Sequence, residues 1–100
     1  MYVSRLNFHT LPGNSSKVEE RLGQLAQMVE DAGGARPRIL RTHFASLGAP
    51  DVVFEQDAED LAGLERQIGA VTGNPDFQQW SDQVSSLLAE SPKREVYIIT

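Results

Sequence analysis

The spacing of apolar residues along this chain shifts between the alternation of a strand and the three-to-four spacing of a helix, and the order of those shifts admits few folds. "YVSRLNFHT" (Tyr2 to Thr10) alternates and is rich in aromatic and branched residues, which predicts a strand. "LPGN" turns the chain. Val18, Leu22, Leu25 and Val29, with Met28 beside them, then mark one face of a helix. Ser16 and Glu19 have the spacing of a capping box at its start. Gly33-Gly34 ends it, because glycine takes the left-handed cap position without steric penalty. "RPRILRTHFASL" (Arg36 to Leu47) reads as a long second strand, and "GAPD" (Gly48 to Asp51) turns it into a third, Val52 to Gln56. So tight a connection makes the pair an antiparallel hairpin. Leu61, Leu64, Ile68 and Val71 form a second helical stripe, broken at Asn74-Pro75, where Asn74 can cap and Pro75 suits the first position of a new helix. Phe77, Trp80, Val84, Leu87 and Leu88 share one face of that third helix, which makes Trp80, the only tryptophan, a packing anchor. "EVYIIT" closes the chain as a fourth strand.

Strand, helix, strand, strand, helix in two pieces, strand is the split βαβ order. It implies an α+β, ferredoxin-like βαββαβ fold with an antiparallel four-stranded sheet and helices on one face, one domain over residues 1–100. An apolar fraction of 40% and a charged fraction of 23% suit such a core. With no cysteine, disulfides, thiolate metal sites and cysteine nucleophiles are excluded, and a cytoplasmic location is expected. The formal charge of −5 and the scattered basic residues argue against nucleic acid as a partner. No apolar run is long enough to span a membrane, and the N-terminus lacks the apolar core of a signal peptide. There is no Gly-rich phosphate loop and no G-x-S-x-G elbow, and "EQDAED" (Glu55 to Asp60) lacks the glycine and terminal glutamate of a calcium loop. A metal site would require His9, His43 and Glu55 to converge, and no metal or cofactor is expected.

A sheet covered by helices on one side has a second face to explain. Tyr2, Ser4, Leu6 and Phe8 are expected toward the helices, with Phe54 of strand three and with Leu40 and Phe44 of strand two. Arg5, Asn7, His9, Arg41, His43 and Glu55 then fall on the outer face, with Tyr97 at the side. The fourth strand is apolar on both sides, Val96 and Ile98 against Tyr97 and Ile99, and strands of that kind are usually covered on both sides. A second copy of the chain is the expected cover, giving a homodimer. In the half-buried constellation so formed, His43 or His9 could act as acid or base. Arg5, Asn7 and Arg41 could hold a developing oxyanion, with Glu55 and Tyr97 completing the site. Equally, Glu55 between arginines would satisfy its own charge and fix subunit register with no ligand at all.

The segments "HTLPGNSSKVEERL" and "DLAGLERQIGAVTGNPDFQQW", with the Asn74-Pro75-Asp76-Phe77 restart, resemble the dimeric α/β-barrel superfamily, and within it the NIPSNAP-type and antibiotic-biosynthesis-monooxygenase-type proteins. The resemblance extends over nearly the whole chain. It implies a homodimer whose two sheets form a barrel, with a pocket between sheet and helices or inside the barrel. Members include cofactor-independent oxygenases, heme-degrading enzymes and small-molecule isomerases. The heme-degrading members use an Asn on the first strand, where Asn7 stands, with Trp and His on later helices. Here those positions fall near Val71 and Ser81, and no histidine follows His43, so heme degradation is disfavoured.

Two readings follow. One is a homodimer that binds a small organic molecule in or beside the barrel. The alternative is a cofactor-independent monooxygenase or isomerase acting on a small aromatic or polyketide-like substrate. The second predicts a void of a few hundred Å3 reached by a histidine. A wholly structural outer face predicts Glu55 paired to arginine and a closed interior.

Overall fold

A computed structural model describes residues 1–100. The elements run β1 (Tyr2–Phe8), α1 (Ser15–Asp31), β2 (Arg38–Arg41), β3 (Val52–Ala58), α2 (Leu61–Thr72), α3 (Pro75–Ser85) and β4 (Lys93–Ile98). The four strands form one sheet in the order β2-β3-β1-β4, antiparallel throughout. This is the predicted ferredoxin-like βαββαβ arrangement, with β3 between β1 and β2.

Alternation along β1 decides the layers. Phe8, Val52 and Phe54 are buried against Val18, Leu22, Leu25, Ala26 and Val29 of α1 and Trp80 and Val84 of α3. Each such side chain contributes about 1.5–3 kcal/mol on leaving water. Helix α1 ends as expected: Gly33, at φ +89°, donates to the Glu30 carbonyl and Gly34 to that of Val29, which satisfies two orphan acceptors of the last turn. At α3, Asn74 Oδ1 accepts from the Asp76 N–H at 2.9 Å and Pro75 opens the helix. Asp60 caps α2 in the same way through the Gly63 N–H, at 2.6 Å.

Three sequence expectations are corrected. The Ser16/Glu19 capping box does not form: α1 begins at Ser15 without a side-chain cap, and Glu19 instead accepts from Arg41. The second strand covers Arg38–Arg41, not Arg36 to Leu47. A strand needs a partner, and β3 begins only at Val52. Before it, Pro50 has no N–H, and the Asp51 N–H is given to the Phe8 carbonyl at 2.9 Å. Thr42 still donates its N–H to the Asp51 carbonyl at 3.0 Å, but the alternation from His43 to Leu47 has nothing to pair with, and the segment is a loop. The phase of β2 is also opposite to that expected. Arg38 stands across from Glu55 and Leu40 across from Val53 on the outer face, while Ile39 and Arg41 point to the helix side. Phe44, expected in the core, is 91% exposed.

Candidate functional site

Between the inner face of the sheet and the helices lies a cavity of about 260 Å3. Its apolar walls combine Phe8 of β1, Phe54 of β3, and Phe77 and Trp80 of α3 with the aliphatic side chains of Leu6, Leu25, Val29, Ile68 and Val71. Phe77 and Trp80 stack with centroids 5.6 Å apart, and the Trp80 indole N–H donates to the Arg21 carbonyl at 2.7 Å, which fixes the ring. On the α2–α3 side the lining residues include Thr72 and Ser81, short side chains that leave the space unfilled.

Two polar groups set this cavity apart from an ordinary core. Gln56, on the helix-facing side of β3 between Phe54 and Ala58, is only 6% exposed, and its Nε2 has no hydrogen-bond partner. A buried amide left in that state costs about 1–3 kcal/mol. Arg94 of β4 also lines the cavity, and its one side-chain hydrogen bond runs from Nη1 to Ser4 Oγ at 2.5 Å. The residue lies on an edge strand and is exposed as a whole. Desolvation nevertheless pulls its guanidinium below the ordinary range, because burial disfavours the charged form. Arg5, Arg36, Arg38 and Arg41 each face a carboxylate, whereas Arg94, like Arg21 and Arg66 elsewhere on the molecule, faces none. Register brings the polar groups together: Ser4 is directly across from Gln56, and Arg94 is across from Leu6, the next inward residue of β1. Neighbours so placed are within side-chain reach.

The outer face carries a different constellation. Glu55, 7% exposed, accepts from Arg5 Nε at 2.7 Å and from Arg38 Nη2 at 2.5 Å. Desolvation pushes the Glu55 carboxyl up, but the hydrogen bonds and charges of Arg38 and Arg5 outweigh it and hold the group below its ordinary value. Arg38 continues to Asp57 at 3.0 Å, and the hydrogen bonds to Asp57 and then Glu55 raise its own pKa further. Arg5 lies over the Tyr97 ring, 5.3 Å from its centroid, and the Tyr97 hydroxyl donates to Glu95 at 2.9 Å. That bond, with burial adding to it, raises the phenol pKa. Asn7 donates to the same Glu95. A continuous polar band thus crosses all four strands.

Of the seven residues singled out from the sequence, Arg5, Asn7, Glu55 and Tyr97 share this band. Arg41 stands on the other side of the sheet, paired to Glu19 through two hydrogen bonds of 2.6 and 2.8 Å, which lower the Glu19 pKa. His9 lies between two loops, its Nε2 3.0 Å from the Gly48 carbonyl and its Nδ1 2.9 Å from Glu90. His43 is exposed in the β2–β3 loop, edge-on to Phe44. No group of three or more histidine or carboxylate side chains is placed to hold a metal ion. None of the seven lines the cavity.

No family model and no curated protein matches the sequence. Solved structures match along its whole length. An uncharacterised NIPSNAP domain protein from Burkholderia xenovorans superposes with a TM-score of 0.74 at 13% identity, over 100% of this chain and 95% of that one. A candidate antibiotic biosynthesis monooxygenase from Nitrosomonas europaea gives 0.71 at 19%, over 99% and 98%. SnoaB, a cofactor-independent oxygenase from Streptomyces nogalater, gives 0.64 at 16%, over 98% and 89%. The fold is the one these structures share, a four-stranded antiparallel sheet in βαββαβ order with helices on one face.

Within that fold, three residues of consequence are not evident from the sequence as site residues. Arg38 was visible in the Arg36-x-Arg38 alternation but was passed over for Arg41, on the wrong phase. Gln56 was placed on the helix-facing side, where a lone amide beside Phe54 is itself a signal. Arg94 lies outside "EVYIIT", whose apolar run begins after it, whereas strand pairing begins at Lys93, opposite Asn7.

Proposed function

We propose that this protein is a homodimeric α/β-barrel protein that binds a small organic molecule in the cavity between its sheet and helices. The observation that carries this reading is the pairing of an apolar cavity of about 260 Å3 with an amide that has no partner and a guanidinium that has no counter-charge. Closed cores of this size leave few voids larger than a water molecule, and buried polar groups in them are bonded. A void with convergent polar groups is the general form of a small-molecule site. The second copy is supported by Leu40 and Tyr97, exposed on the face without helices, and by Val96 and Ile98, exposed on the other side of β4. In the dimer the band from Arg38 to Glu95 would line the barrel interior and fix register. No helix is long and apolar enough to cross a membrane, and the absence of cysteine favours a cytoplasmic setting.

The alternative activity, a cofactor-independent oxygenase or isomerase, would use the same cavity. Arg94 is its one ionisable side chain. What the chain supplies there is binding and stabilisation of an oxyanion, with no histidine or carboxylate to take a proton. Binding is therefore the function we assign.

Trp80 provides the test, since it is the only tryptophan and lines the cavity. Titration with bromobenzene, a contact quencher, is expected to quench its emission saturably. Ser81→Phe, which places a ring in the lining, is expected to abolish saturation. Quenching that rises linearly in both proteins would overturn the reading.

A further inference from the structure

Resting on the cavity reading above, we infer that the ligand is an aryl carboxylate of one or two rings, its carboxylate held by Arg94 beside Ser4 and Gln56 and its ring among Phe8, Phe54, Phe77 and Trp80. Three observations select this class.

The first is charge. The chain is acidic, at −5, so an anion gains nothing from the molecule as a whole and needs a local cation. Arg94 is the one basic side chain at the cavity, and Ser4 Oγ occupies a single N–H of its guanidinium. The remaining N–H groups have no protein acceptor. A guanidinium fork matches the two oxygens of a carboxylate, and such charge-assisted pairs are stronger than neutral hydrogen bonds.

The second is the lining. Four aromatic side chains stand among the aliphatic ones that line the space, and a ring can pack edge-to-face or offset against them, a gain an alkyl chain does not make. The third is size. A cavity of about 150 Å3 encloses benzene, so the 260 Å3 here has room for one or two fused rings with a carboxylate. The Gln56 amide sits one strand from Ser4 and has no partner. Turning about its terminal torsion, which is broad and nearly two-fold, presents its NH2 to the second carboxylate oxygen.

The experiment is calorimetric titration at pH 7 with a matched pair of probes, 2-naphthoate and 2-naphthamide, against the wild type, Arg94→Gln and Arg94→Lys. The wild type is expected to bind the acid roughly tenfold to a hundredfold more tightly than the amide, the range of one charge-assisted hydrogen-bonded pair. Arg94→Gln should erase that ratio. Arg94→Lys, which keeps the charge but not the fork and guards against a folding defect in the first variant, should recover part of the ratio. Equal affinity for the two probes in the wild type, or a ratio that survives Arg94→Gln, overturns the inference while the cavity reading stands. Failure of both probes to bind overturns the cavity reading as well.

Discussion

Replacing Gln56 with methionine should make the free protein more stable, against the usual direction of core substitutions. The Gln56 Nε2 has neither a protein partner nor exposed surface in the free protein. Leaving such a donor unsatisfied costs about 1–3 kcal/mol, and removing it recovers that amount. Methionine is similarly long and unbranched, and swaps that conserve volume cost less than about 1.5 kcal/mol. The net expectation for Gln56→Met is a gain of about 1–2 kcal/mol. For a domain of this size that is roughly 4–8 °C in Tm per kcal/mol. Urea unfolding followed by the buried Trp80 at fixed protein concentration measures it, with an unchanged m-value as the check that only the native state has moved. Loss of more than about 1 kcal/mol would refute the reasoning, because it would mean the amide is bonded in the free protein.

Three further outcomes are expected. Glu55 is held below its ordinary pKa by Arg38 and Arg5 against the desolvation that opposes them, so its stabilisation is present above the unfolded value, about pH 4.3, and is lost as pH falls through the folded value. Glu55→Gln should therefore be less stable than wild type at pH 7, by about 1–2 kcal/mol given that both arginines are half-exposed, with the gap closing by pH 3 in urea titrations; a gap that does not change with pH argues against the pairing. Gly33→Ala should destabilise by about 1–2 kcal/mol in the same assay, because φ of +89° crowds a Cβ; an unchanged midpoint argues against the left-handed cap. Sedimentation equilibrium should give twice the chain mass, and Leu40→Glu, on the outer face, should shift it toward the single chain; a wild-type monomer contradicts the barrel.

The fold was legible because it rests on periodicity. Val18 to Val29 and the alternation of β1 and β3 each name their buried face without knowledge of any partner. Where pairing depends on what stands opposite, the same signal misleads. Residues 43–47 alternate like a strand but face no strand, and the β2 phase turns on whether Arg41 meets Glu19 of α1 or Glu55 of β3, two carboxylates the sequence does not distinguish. The cavity was harder still. Phe54, Phe77 and Trp80 read as ordinary core because a void is a property of how three elements meet and not of any one stripe. The void expected beside the outer-face histidines is not the one present: the cavity lies on the helix side of the sheet and is lined by Arg94 and Gln56 and by no histidine, while Glu55 is paired to arginine as a structural outer face requires.

The most direct measurement is where an aromatic probe sits. Intermolecular NOEs between 2-naphthoate and the protein's methyl and aromatic protons distinguish the two faces of the sheet. The account predicts contacts to Leu6, Ile68, Val71 and Phe77, which line the cavity. Contacts instead to Val3, Leu40 or Tyr97 would place the ligand on the outer face, among Arg5, Asn7 and Glu55, and would contradict it.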